Sequence, residues 1–85
     1  MAYFVYILYS EKTDRYYIGS TSYIEKRLIK HNFGGTASTR PGRPWKIVHT
    51  ETLNTKSEAL IREKQIKNKK SRKYIEWLID SDSVG

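Results

Sequence analysis

Cysteine is absent from this 85-residue chain, which rules out disulfide staples, zinc–thiolate sites and thiol catalysis. Long apolar runs are missing too, and nothing approaches the roughly 20 residues of a membrane-spanning helix. The apolar start, Tyr3-Phe4-Val5-Tyr6-Ile7-Leu8-Tyr9, is short and carries no basic leader, so it reads as a strand and not a secretion signal. No stretch has the composition of a linker, and there is no internal repeat. These absences leave one domain, residues 1–80, near the lower size limit for folding without staples. Residues 81–85 read as a frayed tail. A soluble, cytoplasmic protein with no membrane partner is the default expectation.

Acidic residues are the remaining shortage: nine Asp and Glu stand against sixteen Lys and Arg, a net charge of +7. Such an excess favours a polyanionic partner, nucleic acid being the commonest. The charge is concentrated, with Arg62, Lys64, Lys67, Lys69, Lys70, Arg72 and Lys73 close together in sequence. A solvated helix face could also carry that run.

Two β-patterned runs, residues 3–9 and Tyr16-Tyr17-Ile18-Gly19, flank a polar, turn-like stretch, Glu11-Lys12-Thr13-Asp14-Arg15, and predict a β-hairpin. Ser22-Tyr23-Ile24-Glu25 has the form of a capping box and predicts a helix ending near Asn32, before Gly34-Gly35. Residues 34–44 form a loop rich in glycine, hydroxyls and arginine. A third strand is expected from Trp45 to Leu53, with Trp45 and Ile47 on one side and His49 a candidate for the same side. Thr55-Lys56-Ser57-Glu58 is a second capping box, opening a helix to about Asn68, and Ser71 can cap a last helix. Both hairpin strands are apolar on both faces, so helices should cover the sheet on each side. The expected fold is α/β, a small three-stranded antiparallel sheet flanked by helices in the order β-β-α-β-α-α.

On the second helix, Ala59, Leu60 and Ile66 make an apolar stripe with Glu63 near its middle. A carboxylate facing a core costs several kcal/mol unless a cation neutralises it. Its partner could be Arg27, a neighbouring lysine, or a metal ion, since Mg²⁺ binds through one or two carboxylates and keeps its waters. On the first helix, Ile24 and Leu28 should pack inward, with Arg27 and His31, four residues apart, at the rim of the sheet. Tyr6 and Tyr17 would share the hairpin surface nearby. Phenols, a guanidinium and an imidazole together can handle an anion and move a proton. His49 has no such company and reads as structural.

Tyr16-Tyr17-Ile18-Gly19-Ser20-Thr21, His31-Asn32 and Ser57-Glu58-Ala59-Leu60-Ile61-Arg62-Glu63, taken with Tyr6 and Arg27, resemble the GIY-YIG nuclease domain. The chain looks most like its small stand-alone bacterial branch, and the resemblance spans Tyr3 to about Leu78. Two positions depart from the pattern: the first motif reads Phe4-Val5-Tyr6 without its glycine, and Ile75 stands where many members carry asparagine. The resemblance implies cleavage of phosphodiester bonds, of DNA before RNA and with repair as a setting, using one Mg²⁺ or Mn²⁺ ion held by Glu63. Arg27 would stabilise transition-state charge, and Tyr6, Tyr17 or His31 would activate the water. Arg40, Arg43, Arg62, Lys64, Lys67 and Lys70 would grip the nucleic-acid backbone. Gly19 would admit substrate close to the backbone or mark a bulge. The alternatives are a catalytically weak nucleic-acid-binding module of the same fold and an RNA-processing nuclease.

Overall fold

The computed structural model describes residues 2–84, apart from the side chains of residues 82–84. Strand β1 (Tyr3–Ser10) lies at the centre of the sheet, with β2 (Arg15–Thr21) on one side and β3 (Trp45–Leu53) on the other, both antiparallel to it. A central strand covered on both faces must be apolar throughout, and Val5, Tyr6, Ile7 and Leu8 are all buried. Their alternation divides the core. Val5 and Ile7 pack with Ala59 and Ile66 of helix α2 (Lys56–Lys69) and Leu78 of helix α3 (Arg72–Val84). Tyr6 and Leu8 face the other way, onto Trp45, Tyr17 and Leu28 of helix α1 (Ile24–Asn32). The architecture is the expected helix–sheet–helix sandwich. Helix α3 continues through Val84 as backbone, and Gly85 lies outside the described residues.

The hairpin turn is closed by Asp14 at φ 54°, a left-handed conformation that aspartate tolerates better than most residues. Tyr9 donates to Asp14 Oδ1 at 2.6 Å, and Arg72 donates to the same oxygen at 2.6 Å and to the Asp14 carbonyl at 2.9 Å. The first residue of α3 is thereby tied to the hairpin tip. Of the helix caps, Thr55 Oγ1 accepts from the Glu58 N–H at 3.1 Å and Ser71 Oγ from the Tyr74 N–H at 3.1 Å, as expected. The first capping box does not form. Helix α1 begins after Tyr23 with no side-chain cap, so the cap falls one residue past Ser22, and the Tyr23 N–H donates to Thr21 Oγ1 at 3.1 Å.

Strand β3 carries a bulge. Leu8 pairs with Ile47 but Ile7 with His49, which leaves Val48 as the extra residue. The bulge moves His49 off the face shared by Trp45 and Ile47 and onto the α2 side, opposite Ile7. There it meets Glu51 at 2.8 Å, while Arg62 of α2 clasps the same carboxylate through Nε at 2.6 Å and Nη2 at 3.0 Å. Burial pushes the Glu51 carboxyl up, but hydrogen bonds from Arg62 and His49 outweigh it and leave the group below its ordinary range. Arg62, expected to grip phosphate, thus spends Nε and Nη2 on Glu51 and ties α2 to β3.

Helix α2 also departs from its expected stripe. At about 100° per residue, Leu60 lies a full 100° from Ala59, whereas Ile66 returns to within about 20° of it. Ala59 and Ile66 are buried, and Leu60 and Ile61 are exposed. Glu63, about 40° from Ala59, falls on the half-buried flank.

Candidate active site

Strand alternation puts Tyr6 and Tyr17 on the α1 face of the sheet, and the register sets Gly19 directly opposite Tyr6. No bulge interrupts that pairing. A Cβ on Gly19 would lie 2.5 Å from Tyr6 Oη and 2.6 Å from Cζ. The space a side chain would fill is occupied by the Tyr6 phenol, so Gly19 makes room for a catalytic candidate and not for substrate. The Tyr-Ile-Gly motif is a steric pair between adjacent strands.

Helix α1 supplies the next two groups. His31 is 1% exposed, its Nε2 3.2 Å from Tyr6 Oη and its Nδ1 2.8 Å from Thr39 Oγ1. Its expected place at the rim is corrected: residues 33–44 fold back over the helix end and bury it. Burial, reinforced by the charges of Arg27 and Lys30, holds the imidazole below its ordinary pKa, so it is a neutral base at pH 7. The Tyr17 ring packs 4.8 Å from the His31 ring and 6.4 Å from that of Tyr6, centroid to centroid. Arg27, one turn before His31, is half-buried and forms no hydrogen bond or ion pair through its side chain among the described residues. An unpartnered guanidinium in that setting invites an anion.

Burial pushes the Tyr6 hydroxyl well above the ordinary phenol range; Tyr17 and Glu63 raise it further and Arg27 lowers it. Those influences bring Arg27 and Glu63 within electrostatic reach of one phenol, although they stand on helices that cover opposite faces. Helix α2 makes this possible by packing along the edge strand β2. Beside the site, a cleft of about 310 Å³ is lined by Ser20, Thr21, Tyr23, Arg27, Lys56 and Ala59.

Glu63 is paired with Lys67, one turn on, at 2.6 Å. Among the described residues no three His, Cys, Asp or Glu side chains gather as a ready metal cage. A single carboxylate suits a hard cation only when substrate oxygens and water complete the shell, which is how Mg²⁺ is commonly held. Glu63 fits that case as a single carboxylate oxygen donor once Lys67, which now neutralises it, gives way.

The expected nucleic-acid contacts divide. Lys64 and Lys70 are exposed and form no ion pair among the described residues. Arg40 and Arg43 are exposed but each spends its Nε on a loop carbonyl, of Gly34 and Arg40 respectively, at 2.9 Å. Lys67 serves Glu63 and Arg62 serves Glu51.

Sequence reasoning missed the groups that fix His31 in place. Trp45 Nε1 donates to the Thr39 carbonyl at 2.6 Å, and Asn32 brackets the Trp45 backbone, accepting at 2.6 Å and donating at 3.1 Å. Only the adjacency of Asn32 to His31 hinted at this. Nothing distinguished Thr39 from the other hydroxyls of its loop.

The GIY-YIG catalytic domain model matches residues 2–75. The chain belongs to the GIY-YIG family. Its relatives include a UPF0213 protein of Staphylococcus saprophyticus, 43% identical over 79% of this chain and 83% of that one. Another, from Syntrophus aciditrophicus, is 50% identical over 75% of each chain. The solution NMR structure of a UPF0213 protein from Bacillus halodurans is 33% identical, superposes with a TM-score of 0.58, and is matched over 94% of this chain and 84% of that one. Membership of the GIY-YIG family brings a nuclease class, a nucleic-acid substrate and a general dependence on metal. No helix among the described residues is long and apolar enough to cross a membrane.

Proposed function

We propose that this protein is a metal-dependent endonuclease that cleaves phosphodiester bonds in DNA. The observation that carries the reading is the buried Tyr6–His31 contact beside an unpartnered Arg27. Arg27 binds a non-bridging oxygen of the scissile phosphate and stabilises the charge that grows there; a preorganised donor of this kind is worth about 3–4 kcal/mol. The Tyr6 hydroxyl takes a proton from the attacking water as it passes its own to His31, so no free phenolate is needed in a site that strongly disfavours one. Tyr17 packs its ring against both His31 and Trp45 and faces the water. Glu63, released from Lys67, would hold a divalent ion, Mg²⁺ or Mn²⁺, and that ion would supply charge neutralisation at the phosphate. Lys64 and Lys70, with Arg40 and Arg43, attract the backbone on either side.

The test is incubation with labelled single-stranded, duplex and branched DNA and with RNA, with and without Mg²⁺ and Mn²⁺, beside the Glu63→Ala protein. Cleavage that needs metal and vanishes in Glu63→Ala is expected. Full activity in that variant would remove the metal assignment, and preference for RNA would overturn the choice of DNA.

A second reading rests on the Glu63–Lys67 pair, which leaves the carboxylate already neutralised. On that reading the protein holds nucleic acid without cutting it, and binding with no cleavage under any metal is its signature.

A further inference from the structure

Three side chains in a line carry three mobile protons. Tyr6 Oη lies 3.2 Å from His31 Nε2, His31 Nδ1 lies 2.8 Å from Thr39 Oγ1, and Thr39 Oγ1 lies 3.2 Å from the Thr36 carbonyl. All three side chains are buried: Tyr6 is 3% exposed and His31 and Thr39 1% each. Two arrangements of the protons are consistent with a neutral imidazole. In one, Tyr6 donates to Nε2, the Nδ1–H donates to Thr39, and Thr39 donates to the Thr36 carbonyl. Every O–H and N–H then has an acceptor. In the other, Thr39 donates to Nδ1 and the Nε2–H donates to Tyr6, whose own hydroxyl proton is left with no acceptor among the described residues. The first arrangement pairs all three protons within the fold and leaves a Tyr6 Oη lone pair for the attacking water; the second turns the Tyr6 O–H toward that water, and wherever nothing accepts it the cost is about 1–3 kcal/mol, so the first arrangement prevails.

We infer that Thr39 is a positioning residue for the nuclease reaction proposed above: by accepting the His31 Nδ1–H, it holds the imidazole in the tautomer whose Nε2 lone pair faces Tyr6. That lone pair is what lets the Tyr6 hydroxyl hand on a proton. With the opposite tautomer, His31 would present an N–H to Tyr6 and the relay would be blocked at its first step. Thr39 is itself fixed from behind, because its carbonyl accepts from Trp45 Nε1 at 2.6 Å. The Trp45 ring in turn lies so close to Gly42 that a Cβ there would be 2.4 Å from it. The loop of residues 34–44, expected to serve only as a basic grip, thus also holds the proton acceptor in register.

Long-range ¹H–¹⁵N spectra of the ring nitrogens of His31, recorded on the whole protein without substrate, test this directly. Wild-type protein should show Nδ1 protonated and Nε2 bare. Thr39→Val should lose that preference, and Thr39→Ser, which keeps the hydroxyl, should retain it. In cleavage assays Thr39→Val should lose about 10²-fold in turnover, the low end for a general base, with nucleic-acid affinity unchanged; Thr39→Ser should restore it. An Nε2–H tautomer in the wild-type protein overturns the inference, as does an unchanged Nδ1–H signal in Thr39→Val. A wild-type protein that shows the Nδ1–H tautomer yet cleaves no substrate upholds the hydrogen-bond assignment and counts against the nuclease reading alone.

Discussion

Gly19→Ala tests the steric pairing at the centre of the candidate site. The added methyl would stand 2.6 Å from Tyr6 Cζ, while carbon–carbon contacts are comfortable only from about 3.5 Å, so the phenol must retreat by about 1 Å. It cannot do so freely, because Tyr6 is packed with Leu8, Trp45, Tyr17 and Leu28. Overpacking of this kind costs about 1–3 kcal/mol. The backbone offers a smaller opposing gain, since alanine in a strand is favoured over glycine by about 0.5–1 kcal/mol. A net loss of about 1–2 kcal/mol should lower the melting temperature by about 4–16 °C in a domain of this size. The same movement draws the hydroxyl out of its 3.2 Å contact with His31, and a misplacement of about 1 Å can cost on the order of 10² in rate. Calorimetry and the cleavage assay read the two effects. In a Tyr6→Val background the clash is gone, so Gly19→Ala should there be neutral or stabilising by about 0.5–1 kcal/mol. A Gly19→Ala protein as stable and as active as wild type, or one equally destabilised in both backgrounds, would refute the steric argument.

Arg27→Lys should lose most of its turnover while binding DNA nearly as well, because an ammonium keeps the charge but not the planar fork; single-turnover cleavage beside a binding titration separates the two, and unchanged turnover would exclude a transition-state role. Lys64→Ala and Lys70→Ala should each flatten the log–log salt dependence of duplex binding by about 0.9. Arg62→Ala should leave that slope alone and instead destabilise the fold by about 1.5–3 kcal/mol, by stripping Glu51 of charge-assisted hydrogen bonds; a changed slope with unchanged stability would return Arg62 to the interface. Burial depresses the pKa of His31 from an ordinary value near 6.5, so the folded state refuses a proton that the unfolded state accepts. This contribution to stability is complete above pH 6.5 and is lost as pH falls below it. Urea midpoints should therefore drop between pH 7 and 5, and His31→Gln should flatten that slope; an equal slope in the variant would contradict the linkage.

The sequence alone determined the order of elements, and the reasons are local. The unbroken apolar run from Tyr3 to Tyr9, the cap at Thr55 and the Ser71 hydroxyl each act within a few residues of themselves, and each is found where its pattern put it. The candidate site residues were legible for a different reason, since Tyr6, Tyr17, Arg27, His31 and Glu63 fall at spacings that carry a family resemblance. Tertiary structure decided what those groups touch. An extra residue at Val48 swings His49 to the other face, and nothing in Trp45–Leu53 marks where a bulge will fall. Glu51 takes Arg62 because strand β3 and helix α2 meet there, a contact between residues eleven apart that no periodicity encodes. Thr39 reaches His31 only because the loop is folded back beneath the Trp45 indole. Patterning sets which way a side chain points along its own element; which partner it meets depends on how separate elements pack, and in this site the partners decide where the protons lie.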